Sequence, residues 1–91
     1  MKVEFCDDRK KYGSNSEVVM AITKAKELVD GKSGFRCGSE IRRNLYLDIN
    51  VGHNIYTTSI YLCDREGLAP AYFCNGKFWL TRCGVEVELI N

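Results

Sequence analysis

The chain has little of several things that would have narrowed its chemistry. Basic and acidic side chains nearly cancel, leaving a formal charge of +1, so there is no general pull toward nucleic acid or an acidic membrane. No apolar run approaches the ~20 residues of a membrane-spanning helix, and the short start Met1-Lys2-Val3-Glu4-Phe5 does not read as a signal peptide. There is a single histidine, His53. No Gly-rich loop opens a helix, which excludes a phosphate cradle of the usual kind. No repeat, linker or low-complexity tract divides the sequence, so residues 1–91 are read as one domain, near the small end of what folds unaided.

The cysteines are few and widely spaced. Cys6, Cys37, Cys63, Cys74 and Cys83 make an odd number, with the shortest gap between Cys74 and Cys83. With no signal peptide, that argues for reduced thiols and a cytoplasmic, reducing compartment. Structural zinc draws on closely spaced Cys/His pairs, so no metal is expected, and no other cofactor. The thiols read as small, semi-buried hydrophobes.

What is present is the composition of an ordinary globular domain: 45% apolar and 27% charged residues, which argues against disorder. Residues 2–6 alternate and predict a first strand, and residues 7–16 a polar loop carrying Arg9-Lys10-Lys11 directly after Asp7-Asp8. Ser14 and Glu17 fit a capping box. Val18, Ile22, Ala25 and Val29 then recur at helical spacing, with Val19, Ala21 and Leu28 widening the stripe, until Gly31 supplies a left-handed stop. A stripe this broad suits a helix lying in the hollow of a sheet. Residues 32–41 give no clear pattern: Phe35 sits between Gly34 and Gly38 in either a short strand or a pinned loop.

From Arg43 the period is two. Leu45, Leu47, Ile49 and Val51 fall on one face, and Asn44, Tyr46, Asp48 and Asn50 on the other. Turns at 52–54 and 64–67 separate strands at 55–63 and 68–74. Asn75-Gly76 is the favoured two-residue hairpin turn, because both positions need positive φ. A strand at 78–83 follows, then a last alternating segment at 85–89. The expected fold is α+β: one helix in the N-terminal half, packed on an antiparallel meander of about five strands, with one sheet face open.

Register assigns the faces. An Asn75-Gly76 turn pairs Cys74 with Lys77, Phe73 with Phe78, Tyr72 with Trp79 and Ala71 with Leu80. Carried back through the earlier turns, the same logic pairs Leu62 with Ala69, Ile60 with Ala71, Leu47 with Ile60 and Tyr46 with Tyr61. Aliphatics and two Phe rings then share the helix side. Tyr46, Tyr61, Tyr72 and Trp79 share the other, beside Asn50 and Lys77. One helix covers one face, so these rings are expected to be exposed, and Tyr and Trp dominate interface hot spots. The segment around Phe35 or the N-terminal loop could instead fold over them. In the last segment, Glu86 and Glu88 would point inward unless the phase slips near Gly84, which restores Val85, Val87 and Leu89 to the core.

Catalysis finds no constellation. His53 falls at a hairpin tip, no sequence supports pairing it with Cys63 or Cys37, and the acidic pairs lack apolar surroundings. For nucleic acid, the rings could stack bases, but Lys77 is the one cation placed beside them and Asp48 opposes phosphate.

A helix cradled by an antiparallel meander is also the cystatin layout. Where that family carries Gln-x-Val-x-Gly, this chain has Ile49-Asn50-Val51-Gly52-His53, and Phe78 precedes Trp79 in place of the family's Pro. That resemblance is one of topology, and protease inhibition does not follow from it. The helix at Ser16–Val29 and the hairpin at 71–83, with Asn75-Gly76-Lys77-Phe78-Trp79 at its turn, also resemble the layout of small phage-encoded anti-CRISPR proteins. The resemblance implies a non-enzymatic inhibitor that occupies a functional surface of a host nuclease complex. The expectation is therefore an inhibitor or adaptor whose partner is a protein or nucleoprotein complex, bound through Tyr46, Tyr61, Tyr72, Trp79, Lys77 and Asn50. An RNA- or single-stranded-DNA-binding module and a thiol enzyme using Cys63 or Cys37 are the alternatives. A homodimer through the last strand, read as an unprotected edge, is left open.

Overall fold

The computed structural model describes residues 2–3, 16–51 and 58–91. The readings of residues 4–15 and 52–57, including the capping serine, the basic loop and the His53 turn, fall outside them. The chain runs β1 (Lys2–Val3), α1 (Ser16–Val29), β2 (Gly34–Cys37), β3 (Glu40–Arg43), β4 (Tyr46–Val51), β5 (Thr58–Cys63), β6 (Ala71–Cys74), β7 (Lys77–Leu80) and β8 (Glu88–Ile90). The class is α+β. Seven strands form two antiparallel sheets, β4-β5-β6-β7 and β3-β2-β8, and β1 adds to the first in parallel along β4. The expected single meander of about five strands is corrected to two sheets.

Helix α1 follows its apolar spacing. Val18, Ile22, Ala25 and Val29 are buried, and Ala21 and Leu28 pack against them. Val19 was expected to widen the stripe but lies at its border, 39% exposed. Gly31, with φ 73°, closes the helix as read. One cluster joins this stripe to Leu45 just before β4 and to Leu47, Ile49, Ile60, Leu62 and Phe78 on the first sheet.

Phe35 resolves the unread segment at 32–41. It is fully buried in that same cluster rather than folded over the aromatic rings. Strand β2 pairs with β3 on one side and β8 on the other, setting Phe35 opposite both Arg42 and Leu89. A strand paired to the far end of the chain cannot be read from its own four residues. Asn44, with φ 58°, turns the backbone between β3 and β4, so it is not part of the strand to which its alternation assigned it.

The β6–β7 register is the expected one throughout, with Asn75 (φ 52°) and Gly76 (φ 79°) both left-handed at the turn. The other two ladders differ by two residues. Leu47 pairs with Leu62 rather than Ile60, and Leu62 with Ala71 rather than Ala69. A slip of two preserves every face, so the inward and outward assignments survive.

For the β5–β6 ladder the physical cause is visible in the connection itself. The Asp64 carboxylate accepts from the backbone N–H of Glu66 at 3.0 Å and of Leu68 at 2.9 Å. This side-chain-built turn lengthens the connection. Pro70 brings no N–H, and β6 begins only at Ala71, not at Leu68. Strand β7 likewise stops at Leu80 rather than Cys83, where a second tight turn starts.

That turn achieves the expected phase change. Gly84, with φ 70°, donates to the Leu80 carbonyl at 2.7 Å, Leu80 to Val85 at 2.7 Å and Val87 to Phe78 at 2.9 Å. Val87 is buried and Leu89 packs on the core, but Val85 remains 53% exposed, a correction to its inward assignment. The final segment is paired along one side, and β8 stands at the edge of the three-stranded sheet. Residues 85–87 bond to β7, and β8 then pairs with β2.

Candidate functional site

The face of the first sheet opposite the core carries the residues picked out for binding. Directly opposed residues on neighbouring strands project to the same face. The pairs Asp48↔Tyr61, Tyr61↔Tyr72 and Tyr72↔Trp79 therefore form one row straight across β4, β5, β6 and β7. The bridge between Trp79 and Glu86 extends the row by one further residue. Three aromatic side chains thus stand at strand spacing, about 4.8 Å apart in backbone, with a carboxylate at each end.

Tyr46 is not in this row. It opposes Cys63 rather than Tyr61, two residues along β4 from Asp48. The expected Tyr46–Tyr61 pair is thereby corrected to a diagonal neighbour. Asn50 is exposed opposite Ser59, and its amide donates to the Asp48 carboxylate at 3.0 Å. Lys77 is exposed beside the hairpin turn, with its ammonium 3.5 Å from the Glu86 carboxylate.

The rings are half-buried rather than exposed. Trp79 has a specific anchor: its indole N–H donates to the Cys74 carbonyl at 2.7 Å, holding the indole along its own hairpin. With its N–H satisfied within the hairpin, the indole presents mainly apolar surface. On the core side, Phe73 and Phe78 meet edge to face with centroids 5.2 Å apart, which stiffens the same hairpin from behind.

Glu86 was not among the residues picked out for binding in the sequence. The signal available was Gly84: a glycine-closed turn after Leu80 returns the chain onto β7 and places Glu86 beside Trp79. Its effect on the electrostatics is direct. The one cation expected to favour phosphate is tied to a carboxylate, and Asp48 stands at the other end of the row.

Cys63 tests the thiol alternative. It is buried against the Tyr46 end of this face. Burial pushes its thiol up, the Asp48 charge pushes it further, a hydrogen bond with Tyr46 draws it partly back, and Asp64 adds a smaller upward push. A nucleophilic cysteine needs the opposite shift. His53, the base it would need, lies outside the described residues. Cys37 is half-buried, and Cys74 and Cys83 are exposed.

The raised thiol has a consequence for stability. A group whose folded pKa exceeds its unfolded value contributes fully below the unfolded value, and that contribution fades as pH rises through the folded one. The melting temperature should therefore fall from about pH 8.5 upward, and fall less in Cys63→Ala; equal slopes in the two proteins would contradict this. Under alkylation at neutral pH, Cys63 should be the slowest of Cys37, Cys63, Cys74 and Cys83.

Among the described residues, no group of three or more His, Cys, Asp or Glu comes together as a metal ion would require. None of their helices is long and apolar enough to cross a membrane. Compared with protein-family models, curated proteins and solved structures, the chain gives no match.

Proposed function

We propose that the protein acts by binding: it is an inhibitor or adaptor that lays the Tyr61–Tyr72–Trp79 row against a protein surface and occludes it. The observation that carries this reading is the row itself, three directly opposed rings closed off by Asp48 and Glu86. In this reading the face is open to a partner, Trp79 is the energetic anchor, and Tyr46, Asn50 and Lys77 form the rim. Aromatic centres with polar rims are the anatomy of protein interfaces. The acidic ends favour a partner segment bearing Lys or Arg over a phosphate backbone. A nuclease complex of the CRISPR kind is the target toward which the layout resemblance points.

The test is affinity capture from lysate, with and without nuclease, comparing the wild type with Tyr61→Ser/Trp79→Ser and with Met20→Ser. Met20 is 69% exposed on the far side of α1 and serves as the control. Removing two half-buried rings and the Trp79 hydrogen bond should lower the melting temperature by about 5–10 °C, so capture is performed in the cold, where the variant stays folded. A protein complex that survives nuclease and disappears only with the ring variant supports the proposal. Loss on nuclease treatment would transfer the reading to RNA or single-stranded DNA. Capture unaffected by the ring variant would leave the row as sheet support alone.

A further inference from the structure

The row does not account for a separate cleft of about 360 Å³ at the opposite end of the β6–β7 hairpin from its Asn75-Gly76 turn. The cleft opens where the connection from β5 to β6, the turn after β7 and the β2–β3 hairpin converge. Leu68, Pro70 and Leu80 line it with hydrocarbon, and Leu68 is 62% exposed at its rim. A volume of this size with a mostly apolar wall falls within the range of small-molecule sites.

Two features show that the cleft is preformed. The Thr81 backbone N–H donates to the Pro70 carbonyl at 2.9 Å and its hydroxyl to the Ala69 carbonyl at 2.7 Å, locking one turn to the other. The Asp64 carboxylate holds its own loop through the Glu66 and Leu68 N–H groups. The charges are unequal. Arg42 lies 3.9 Å from Asp64 and 3.5 Å from Glu40, whereas Arg82 lines the same cleft without a carboxylate partner among the described residues. A guanidinium beside an apolar wall selects a ligand with both a hydrocarbon body and an anionic group, since Arg offers carboxylates and sulfonates a planar fork of donors.

We infer that this cleft is a binding site for a small amphipathic organic acid, its hydrocarbon part on Leu68, Pro70 and Leu80 and its anionic group on Arg82. The site shares no residue with the Tyr61–Tyr72–Trp79 row and stands independently of the reading given for that face.

Two thiols make the site directly observable. Cys83 lines the cleft and is exposed, while exposed Cys74 lies at the far end of the hairpin. The probe is anilinonaphthalene sulfonate, an apolar aromatic with one negative charge, followed by its fluorescence; the neutral phenylnaphthylamine serves as its uncharged counterpart. The sulfonate should bind at one site with a Kd on the order of tens of micromolar. At saturation it should slow iodoacetamide alkylation of Cys83 several-fold and leave Cys74 unchanged. Arg82→Ala should weaken the sulfonate about ten-fold and the neutral compound hardly at all, and Leu68→Ser should weaken both. Thermal melts confirm that both variants remain folded. Non-saturable binding, equal sulfonate affinity in wild type and Arg82→Ala, or no protection of Cys83 would each overturn the assignment.

Discussion

Phe35→Ala should remove a large share of the protein's stability, read as a lowered urea midpoint and melting temperature. The side chain is fully buried and sits where the two sheets meet over the helix stripe. Truncating a buried Phe costs about 3–5 kcal/mol, the sum of lost transfer energy and the cavity left behind. A domain of this size has a total stability on the order of 5–10 kcal/mol, so the loss removes a large share of it. The effect also reaches beyond β2. Phe35 packs from the strand that joins β3 to β8, so its loss weakens the whole three-stranded sheet.

An internal comparison makes the prediction sharp. Phe73 is half-buried against Phe78, and Phe73→Ala should cost markedly less than Phe35→Ala in urea denaturation. Equal costs at the two positions, or a loss below about 1 kcal/mol at Phe35, would show that Phe35 is a surface lid and not part of the core.

Gly34→Ala is the second large effect, and its origin is steric rather than hydrophobic. A Cβ built at Gly34 runs directly into the carbonyl oxygen of Arg42 on the neighbouring strand. That atom is backbone, so no rotamer change relieves the contact, and β2 and β3 must separate. Overpacking of this kind costs about 1–3 kcal/mol, and Gly34→Val should cost more.

Gly38, at the turn of the same hairpin, provides the contrast. It has φ 62° and open space around its Cα, so Gly38→Ala meets only the conformational cost of a left-handed residue, about 1 kcal/mol. Hydrogen exchange locates the difference. Gly34→Ala should speed exchange of the β3 amides most, because the clash is with the β3 backbone; unchanged exchange in β3, or a cost smaller than that of Gly38→Ala, would overturn the steric account.

These predictions turn on residues whose importance was hard to see in the sequence. Nothing in Gly34-Phe35-Arg36-Cys37 announces a central strand. Its partners are the adjacent β3 and the distant Glu88–Ile90, and β8 supplies the Arg36–Glu88 ion pair at 3.5 Å. Local pattern carries no information on a pairing that closes so long a stretch of chain. By contrast, the α1 stripe and the Asn75-Gly76 hairpin obey rules confined to a few neighbouring residues, and both were legible.

The candidate face divides along the same line. Period-two alternation determined which side each ring takes, since a register error of two residues leaves every face unchanged. The neighbours on that side depended on loop lengths. Asp64 lengthened the turn from β5 to β6 through its carboxylate, setting Tyr61 opposite Tyr72. Gly84 closed another turn and brought Glu86 onto Trp79 and Lys77. The anchoring of the Trp79 indole is internal to its hairpin, on the Cys74 carbonyl.

The sequence by itself therefore determined the helix, its buried stripe, the tightest hairpin and the side of the sheet on which the rings lie, because each depends on periodicity or on the conformational demands of one dipeptide. Only the tertiary structure decided that the strands divide into two sheets, that Phe35 closes the core, that a carboxylate ends the aromatic row at each side and that Arg82 stands beside an apolar cleft. Those depend on which distant segments pair, and pairing is chosen by the burial and hydrogen bonding of the whole chain at once.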